Sequence, residues 1–412
     1  MTDLLRPQPI GIFDLPAGYL VLPSVPGVEA VRDGLLRGQV PEEWPAGLTF
    51  YGLALSGDVE RALTALVVDD TPEGAYNRFV LNSDLETYHQ LAATLSGDLA
   101  VLLHIVAFTL GYDDRLPDGE GLTGEWRALW LIAQAARHLE GESPTEAVPM
   151  LEQAADAAGP VSPLLAAQAL GTLAHTLREV QGVSGAVAQL YRRAIDALEG
   201  SGLDEPRAEL WLNLGMTYHE LAQGGRGALI EAVKCYQQAV RVLTRERHPE
   251  LFALAHNNLA LAYLAMPMTE AGDALRMGVA VGSLREALKV YTRETHPDRW
   301  AGAQLNLANA LQYLPSAHPL DNLEEAIRLY DEVLAVRGDD DPLGRARVLA
   351  SQGNALAHLG DFARAVPILE AARDAFGAHA ETDSAAAVQG VLDDIEAQVA
   401  EKATSSDGIG GA

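Results

Sequence analysis

Two stretches of this chain nearly repeat one another. RHPELFALAHNNLALAY at 247–263 and THPDRWAGAQLNLANAL at 295–311 share a His-Pro start, small residues every three to four places, and Asn-Leu-Ala near the end. A helix written twice at a fixed spacing constrains the fold more than any bulk property. A helix-turn-helix unit of this size cannot bury its apolar stripe alone and must stack on a neighbour like itself. Composition points the same way: of 412 residues 48% are apolar but only 6% aromatic. Ala and Leu dominate, which suits close-packed helices better than β-sandwiches. The expected fold class is all-α.

The clearest unit is ELWLNLGMTYHEL, where Trp211, Leu214, Gly215 and Tyr218 fill a W-x2-L-G-x2-Y pattern. Ala232, Tyr236 and Ala239 then fill the A-x3-F-x2-A run of a partner helix. These motifs resemble the tetratricopeptide repeat. In such a unit a bulky residue and Leu fill the seam, the small slot lets backbones approach, and Ala in the second helix admits the next unit. Aligned on the same slots are His256, Leu259, Ala260 and Tyr263 with Ala287 and Tyr291, and Gln304, Leu307, Ala308 and Leu311 with Ala326, Tyr330 and Val333. Leu349, Gln352, Gly353 and Leu356 follow, with Ala365, Leu369 and Ala372. Upstream lie Ala167, Leu170, Gly171 and Ala174, and a fainter unit at Leu131, Ala135 and His138. The resemblance implies a right-handed α-solenoid of about six units.

First slots recur at steps of 36 to 48 residues, against about 34 for the usual repeat. The surplus is expected mainly between the two helices of a unit, in AQGGRGALIE, AMPMTEAGDALRMGVAVG and QYLPSAHPLDN. Each His-Pro reads as a helix start, because Pro is welcome in the first turn, where its missing N–H leaves nothing unpaired.

The expected organisation is a helical N-terminal region at 1–122, the array at 123–376, a capping helix at 377–402 and a disordered tail at 403–412. GYLVLPSVPG reads as an extended arm entering a helix, FYGLALSGDVERALTAL as a degenerate repeat, and NSDLETYHQLAATL as a helix capped by Asn82 or Ser83. The Gly, Pro and Asp of residues 111–125 mark the best boundary.

With 29 basic and 57 acidic residues the formal net charge is −28, which repels phosphate backbones and anionic lipid. Neither nucleic acid nor membrane is an expected partner. The acidity keeps such a chain soluble and would steer in a basic or otherwise complementary protein surface. Cys235, the single cysteine, reads as a packed thiol in a helix, which fits the cytoplasm. The first residues lack the pattern of a signal peptide, so none is expected. The run LAVLLHIVAFTLGY is too short to span a bilayer and reads as a buried helix.

Walker loops, nucleophile elbows, His-Glu-x-x-His and paired Cys-x-x-Cys motifs are absent. The sequence therefore offers no catalytic residues, cofactor or metal site. Asp339, Asp340 and Asp341 read as a solvated turn before the helix that Pro342 starts. Function is expected in a groove. By resemblance, the exposed positions of first helices are Leu212, Met216 and His219; Asn257, Leu261 and Leu264; Leu305, Asn309 and Gln312; and Arg347, Ala350 and Asn354. Asn309 and Asn354 match the family's groove asparagine, whose amide pairs with a ligand backbone. Asn213, Asn258 and Asn306 fall in the neighbouring structural slot. Lys234, Lys289 and Lys402 lie outside the slots of a carboxylate clamp. The mixed lining suits an apolar peptide or a partner helix.

The leading expectation is a non-catalytic protein-interaction scaffold, one version being an accessory or assembly factor for a multisubunit enzyme. A regulator that senses a peptide or metabolite is one alternative. An enzyme or metallochaperone with a site around His89, His104 and Asp113 is another.

Overall fold

The computed structural model describes residues 4, 7–141, 143–223, 225–267, 272–337 and 341–407, with side chains through 401. Those residues form helices, turns and no strand. Asp339, Asp340 and the end of the expected tail, 408–412, lie outside the described residues. The chain divides into two compact units, Met1–Leu221 and Ala222–Ala412.

Unit 1 holds α1 (Val28–Leu35), α2 (Thr49–Leu55), α3 (Val59–Ala65), α4 (Pro72–Asn82), α5 (Leu85–Ala92), α6 (Asp98–Thr109), α7 (Gly124–Glu140), α8 (Pro144–Ala158), α9 (Pro163–Gln181), α10 (Gly185–Ala197) and α11 (Asp204–Leu221). From α7 onward each helix packs on the next, and α7 also touches α9. Unit 2 holds α12 (Arg226–Ala239), α13 (Pro249–Leu264), α14 (Asp273–Ala287), α15 (Pro297–Gln312), α16 (Pro319–Leu334), α17 (Pro342–Leu359), α18 (Phe362–Ala378) and α19 (Thr382–Asp407). Here too every helix packs on its successor, and α13, α15, α17 and α19 touch in turn. Each unit is a succession of packed helices, and in unit 2 the first helices of the hairpins form one layer.

The slots named from the sequence carry that packing. Ala135, Ala174, Ala232, Ala260, Ala287, Ala308, Ala326, Ala365 and Ala372 are fully buried. Among the larger seam residues, Leu214 and Tyr330 are 0% exposed, Tyr236 1%, Leu307 3% and Leu259 4%. Gly215 is buried, while Trp211, Tyr218 and Tyr263 are half-buried. Gly353 marks a close approach between helices: a Cβ there would lie 2.6 Å from Leu369 Cγ of α18. Pro249, Pro297, Pro319 and Pro342 each start a helix. The histidine before Pro297 does more than precede it, since His296 Nε2 lies 2.5 Å from Glu250 Oε1 on α13.

The surplus length is distributed differently from the expectation. The nine-residue connectors 240–248 and 288–296 join one hairpin to the next, and they are longer than the links within hairpins of unit 2. Much of AMPMTEAGDALRMGVAVG is helical, as the first two turns of α14. Backbone hydrogen bonds such as Tyr291 N to Ala287 O and His296 N to Thr292 O satisfy the connector, so it needs no projecting loop.

Residues before α7 do not stand apart from the hairpins. Segment 8–22 runs as an arm against α4, α7 and α9, burying Ile10, Leu20, Val21 and Leu22 at 0 to 1% exposure, each worth about 1.5–3 kcal/mol. Both amide groups of Asn77 serve the arm: Oδ1 accepts from Val21 N and Nδ2 donates to Val21 O, each at 2.9 Å. The Glu125 carboxylate accepts from Gln8 N at 3.1 Å, and Gln168 Nε2 donates to Ile12 O at 3.1 Å. Gly11 takes φ +76°, and a Cβ there would meet Leu129 and Leu165 at 2.9 Å. One hydrophobic core thus joins the arm to α7 and α9, across the sequence boundary set at 122.

α2 and α3 pack together about the Gly57-Asp58 turn, with Asp58 capping α3. The cap of α5 is Asp84, whose Oδ1 accepts from Thr87 N at 2.8 Å, rather than Asn82 or Ser83. Asn82 closes α4, and Ser83 takes the left-handed φ of 50° that ends it. α6 is buried as expected, and no described helix is long and apolar enough to cross a membrane. α19 lays Val388, Leu392 and Ile395 on the unit 2 core and continues past Lys402 to Asp407.

Asn77→Ala leaves both polar groups of Val21 buried without these partners, at a cost of about 2–4 kcal/mol. Amide exchange of residues 19–22 should accelerate at least about thirty-fold, and unchanged protection would show that the amide pair does not hold the arm. Gly353→Ala should destabilise unit 2 by about 1–3 kcal/mol in thermal melts. Gly377→Ala, where a Cβ meets nothing within 4 Å, should instead be neutral or stabilise by up to about 1 kcal/mol.

Candidate functional site

The layer of first helices offers walls on which a ligand can lie. Three of the groove residues read from the sequence meet on α15 and α17. The buried Tyr330 hydroxyl of α16 lies 2.7 Å from Asn309 Oδ1 and 3.2 Å from Gln312 Oε1, donating to these amide oxygens. Burial pushes the Tyr330 phenol well above its ordinary pKa, so it stays a donor. Gln312 Nε2 donates to the Tyr313 hydroxyl at 3.3 Å, and Asn354 Nδ2 donates to the same oxygen at 3.0 Å. His358 stands edge-on to Tyr313 with ring centres 6.1 Å apart, its Nδ1 3.4 Å from Gln312 Nε2. Tyr313 is 56% exposed. Leu305 is half-buried and Arg347 exposed on the same two helices.

This patch is polar, aromatic and internally braced. In this arrangement Asn309 keeps its NH2 and Asn354 its carbonyl, the donor and acceptor complementary to a peptide group. Sequence reasoning missed Tyr313 and His358. His358 falls one turn beyond Asn354, a legible signal; Tyr313 sits just past the end of α15, where no repeat slot points to it.

A second feature lies between α13 and α15. A cavity of about 180 Å³ is lined by Leu254, Asn257, Tyr291, Arg299, Ala303 and Asn306. Arg299 bonds Glu250 at 2.9 Å and lies 5.6 Å from the Tyr291 ring centre. Asn257 Nδ2 donates to Asn258 Oδ1 at 3.3 Å, and Leu261 is half-buried nearby on α13. Asn306, assigned from the sequence to a structural slot, faces this cavity. Each space between first helices therefore has two walls. The preceding helix supplies the Asn257 type of slot, and the following helix supplies Arg299, Gly302, Ala303 and Asn306. The sequence alignment named mainly the first wall.

Unit 1 shows the same two walls at larger scale. A cavity of about 620 Å³ is lined on α9 by Gln168, Thr172 and His175, and on α11 by Pro206, Glu209, Leu210 and Asn213. These α11 positions align with Arg299, Gly302, Ala303 and Asn306 of α15. The groove residues expected on α11 belong to unit 1 but do not line this cavity. Leu212 is only 2% exposed, which corrects its reading as a ligand contact. A leucine there gains from burial what its α9 counterpart, Gln168, would lose. Met216 and His219 are half-buried, and burial lowers the pKa of His219.

The N-terminal titratable residues partly converge. The Tyr88 hydroxyl donates to Asp113 Oδ2 at 2.9 Å and lies 3.1 Å from His104 Nδ1. Burial, then Asp113, pushes Tyr88 up to about 12. Asp113 is held below the usual carboxylate range by the Arg115 amide and the Tyr88 hydroxyl. A phenol so tied braces α5 against α6 and the following loop instead of moving a proton near neutrality. The His89 ring lies tilted against Tyr88 with centroids 5.3 Å apart. No group of three or more His, Cys, Asp or Glu placed to hold a metal occurs among the described residues.

No family model matches the chain, and no curated protein matches it. Among solved structures, TPR-like repeats described as a kinesin light chain from Podosopora anserina share 22% identity, over 50% of this chain and 93% of that one, with a TM-score of 0.38. BtubC (BKLC) from P. vanneervenii shares 19% identity over 61% and 92%, with a TM-score of 0.40. A Rap protein complexed with Competence and Sporulation Factor shares 14% over 86% and 98%, with a TM-score of 0.38. In the chain itself, successive helix hairpins are closed at alanine seams, with paired walls between first helices.

Proposed function

We propose that this chain is a non-catalytic interaction scaffold that holds an extended or helical segment of a partner protein on the first helices of unit 2. The observation that carries the reading is the braced patch of Asn309, Gln312, Tyr313, Asn354 and His358 on α15 and α17. Its amides are oriented before a ligand arrives, so little side-chain entropy is lost on binding. Tyr313 supplies rigid contact area of the kind that anchors interfaces. Unit 1 is a poorer place for such a segment, because its own arm lies against α7 and α9. The net charge of −28 favours a partner with a basic surface. An accessory role beside a multisubunit enzyme is compatible with this reading.

Tagged protein recovered from its native cells should carry one dominant partner, identified by mass spectrometry. The double variant Asn309→Ala, Asn354→Ala should retain less than about a tenth of that partner with an unchanged circular dichroism spectrum. Equal recovery by the folded variant would remove the patch from the binding site.

A further inference from the structure

The hydrogen bonds inside the unit 2 patch fix which of its groups face outward. Gln312 commits its Oε1 to the Tyr330 hydroxyl and its Nε2 to the Tyr313 oxygen. An amide nitrogen only donates, so His358 Nδ1, 3.4 Å from Gln312 Nε2, is its acceptor. That places the ring proton on His358 Nε2. The Tyr313 oxygen accepts from both Gln312 and Asn354, so its own proton is directed to neither. Asn309 uses its oxygen on Tyr330, and Asn354 its nitrogen on Tyr313.

Four groups then have no partner among the described residues: the Asn309 NH2, the Tyr313 O–H, the His358 Nε2–H and the Asn354 carbonyl. Tyr313 and His358 are exposed, and Asn309 and Asn354 are half-buried. A segment that covers them must supply acceptors for the three donors and a donor for the carbonyl, because a polar group buried unpaired loses its bonds to water without replacement. The backbone of an α-helix cannot do so along its length, since its N–H and C=O groups bond one another from turn to turn. An extended segment keeps both kinds of group free. The chain holds part of its own arm in this way: Asn77 pairs with both the N–H and the C=O of Val21, beside Leu20 in extended backbone at φ −73° and ψ 141°.

We propose that unit 2 binds its partner segment in an extended conformation. The Tyr313 O–H and the His358 Nε2–H donate to backbone carbonyls of that segment, and the Asn354 carbonyl accepts from one of its N–H groups. This rests on the patch being a protein-binding site and narrows what it accepts, through two side chains that the repeat slots do not supply.

Dodecapeptides selected on the full chain from a random phage-displayed library, and discarded if they also bind the Asn309→Ala, Asn354→Ala variant, are the probes. Bound to the full chain, the synthetic peptides should give transferred NOEs from the Hα of one residue to the amide proton of the next, as extended backbone does. They should give none from Hα to the amide proton three residues on, which marks a helix. Tyr313→Phe and His358→Phe, both at exposed positions, should each weaken peptide binding about three- to tenfold in isothermal titration, with circular dichroism unchanged. Helical NOEs overturn the extended conformation and leave the patch standing as a binding site. Unchanged affinity in either variant overturns that residue's part as a donor. A library that yields no peptide dependent on Asn309 and Asn354 overturns the patch as a binding site, and the extended conformation with it.

Discussion

Alanine at the helix crossings is the constraint from which the rest of this structure follows. With only a methyl group at Ala260, Ala287, Ala308, Ala326, Ala365 and Ala372, all fully buried, two helix backbones approach closely enough for Leu and Tyr side chains to fill the flanking space. At Gly353 even the methyl is gone, and Leu369 occupies its place. Each hairpin so closed still has an apolar edge, which the next hairpin covers and which α19 covers at the end of unit 2. Close packing across small residues makes the layer of first helices rigid, and a rigid layer can present side chains in a set orientation.

The two units use that layer differently. In unit 1 the chain supplies its own irregular segment, held by side-chain amides and a carboxylate, and the remaining space narrows to a pocket. In unit 2 the corresponding helices carry half-buried amides braced by Tyr330 and Tyr313. One backbone architecture thus supports a filled face and an open one. The difference lies in whether an apolar stretch such as Ile10 to Leu22 is available to bury.

Much of the fold could be read before the structure. Slot alignment located the helix pairs α7–α8, α9–α10, α13–α14, α15–α16 and α17–α18, and His-Pro located the start of two of them, because small residues at crossings and Pro in a first turn are local requirements. The candidate sites were legible only in part. Asn309, Gln312 and Asn354 do gather on one surface, as their shared slots implied. Leu212 occupies an equivalent slot yet is buried, and Asn306 occupies a seam slot yet lines a cavity. Slots record where a side chain leaves its helix; burial depends on what the neighbouring helix places opposite.

The sequence alone determined that this chain is helical, that its helices pair, and that the pairs stack, since a 3.6-residue apolar stripe and alanine spacing are properties of each hairpin taken singly. Tertiary structure alone decided that residues 8–22 belong to the core of unit 1 and that Tyr313 meets Asn354. It also decided that cavities have a second wall, in Glu209 and Asn213 or in Arg299 and Asn306. Those outcomes join residues from about 40 to more than 100 positions apart. No local pattern encodes them, because the free energy that brings them together comes from surfaces that exist only after the hairpins have stacked.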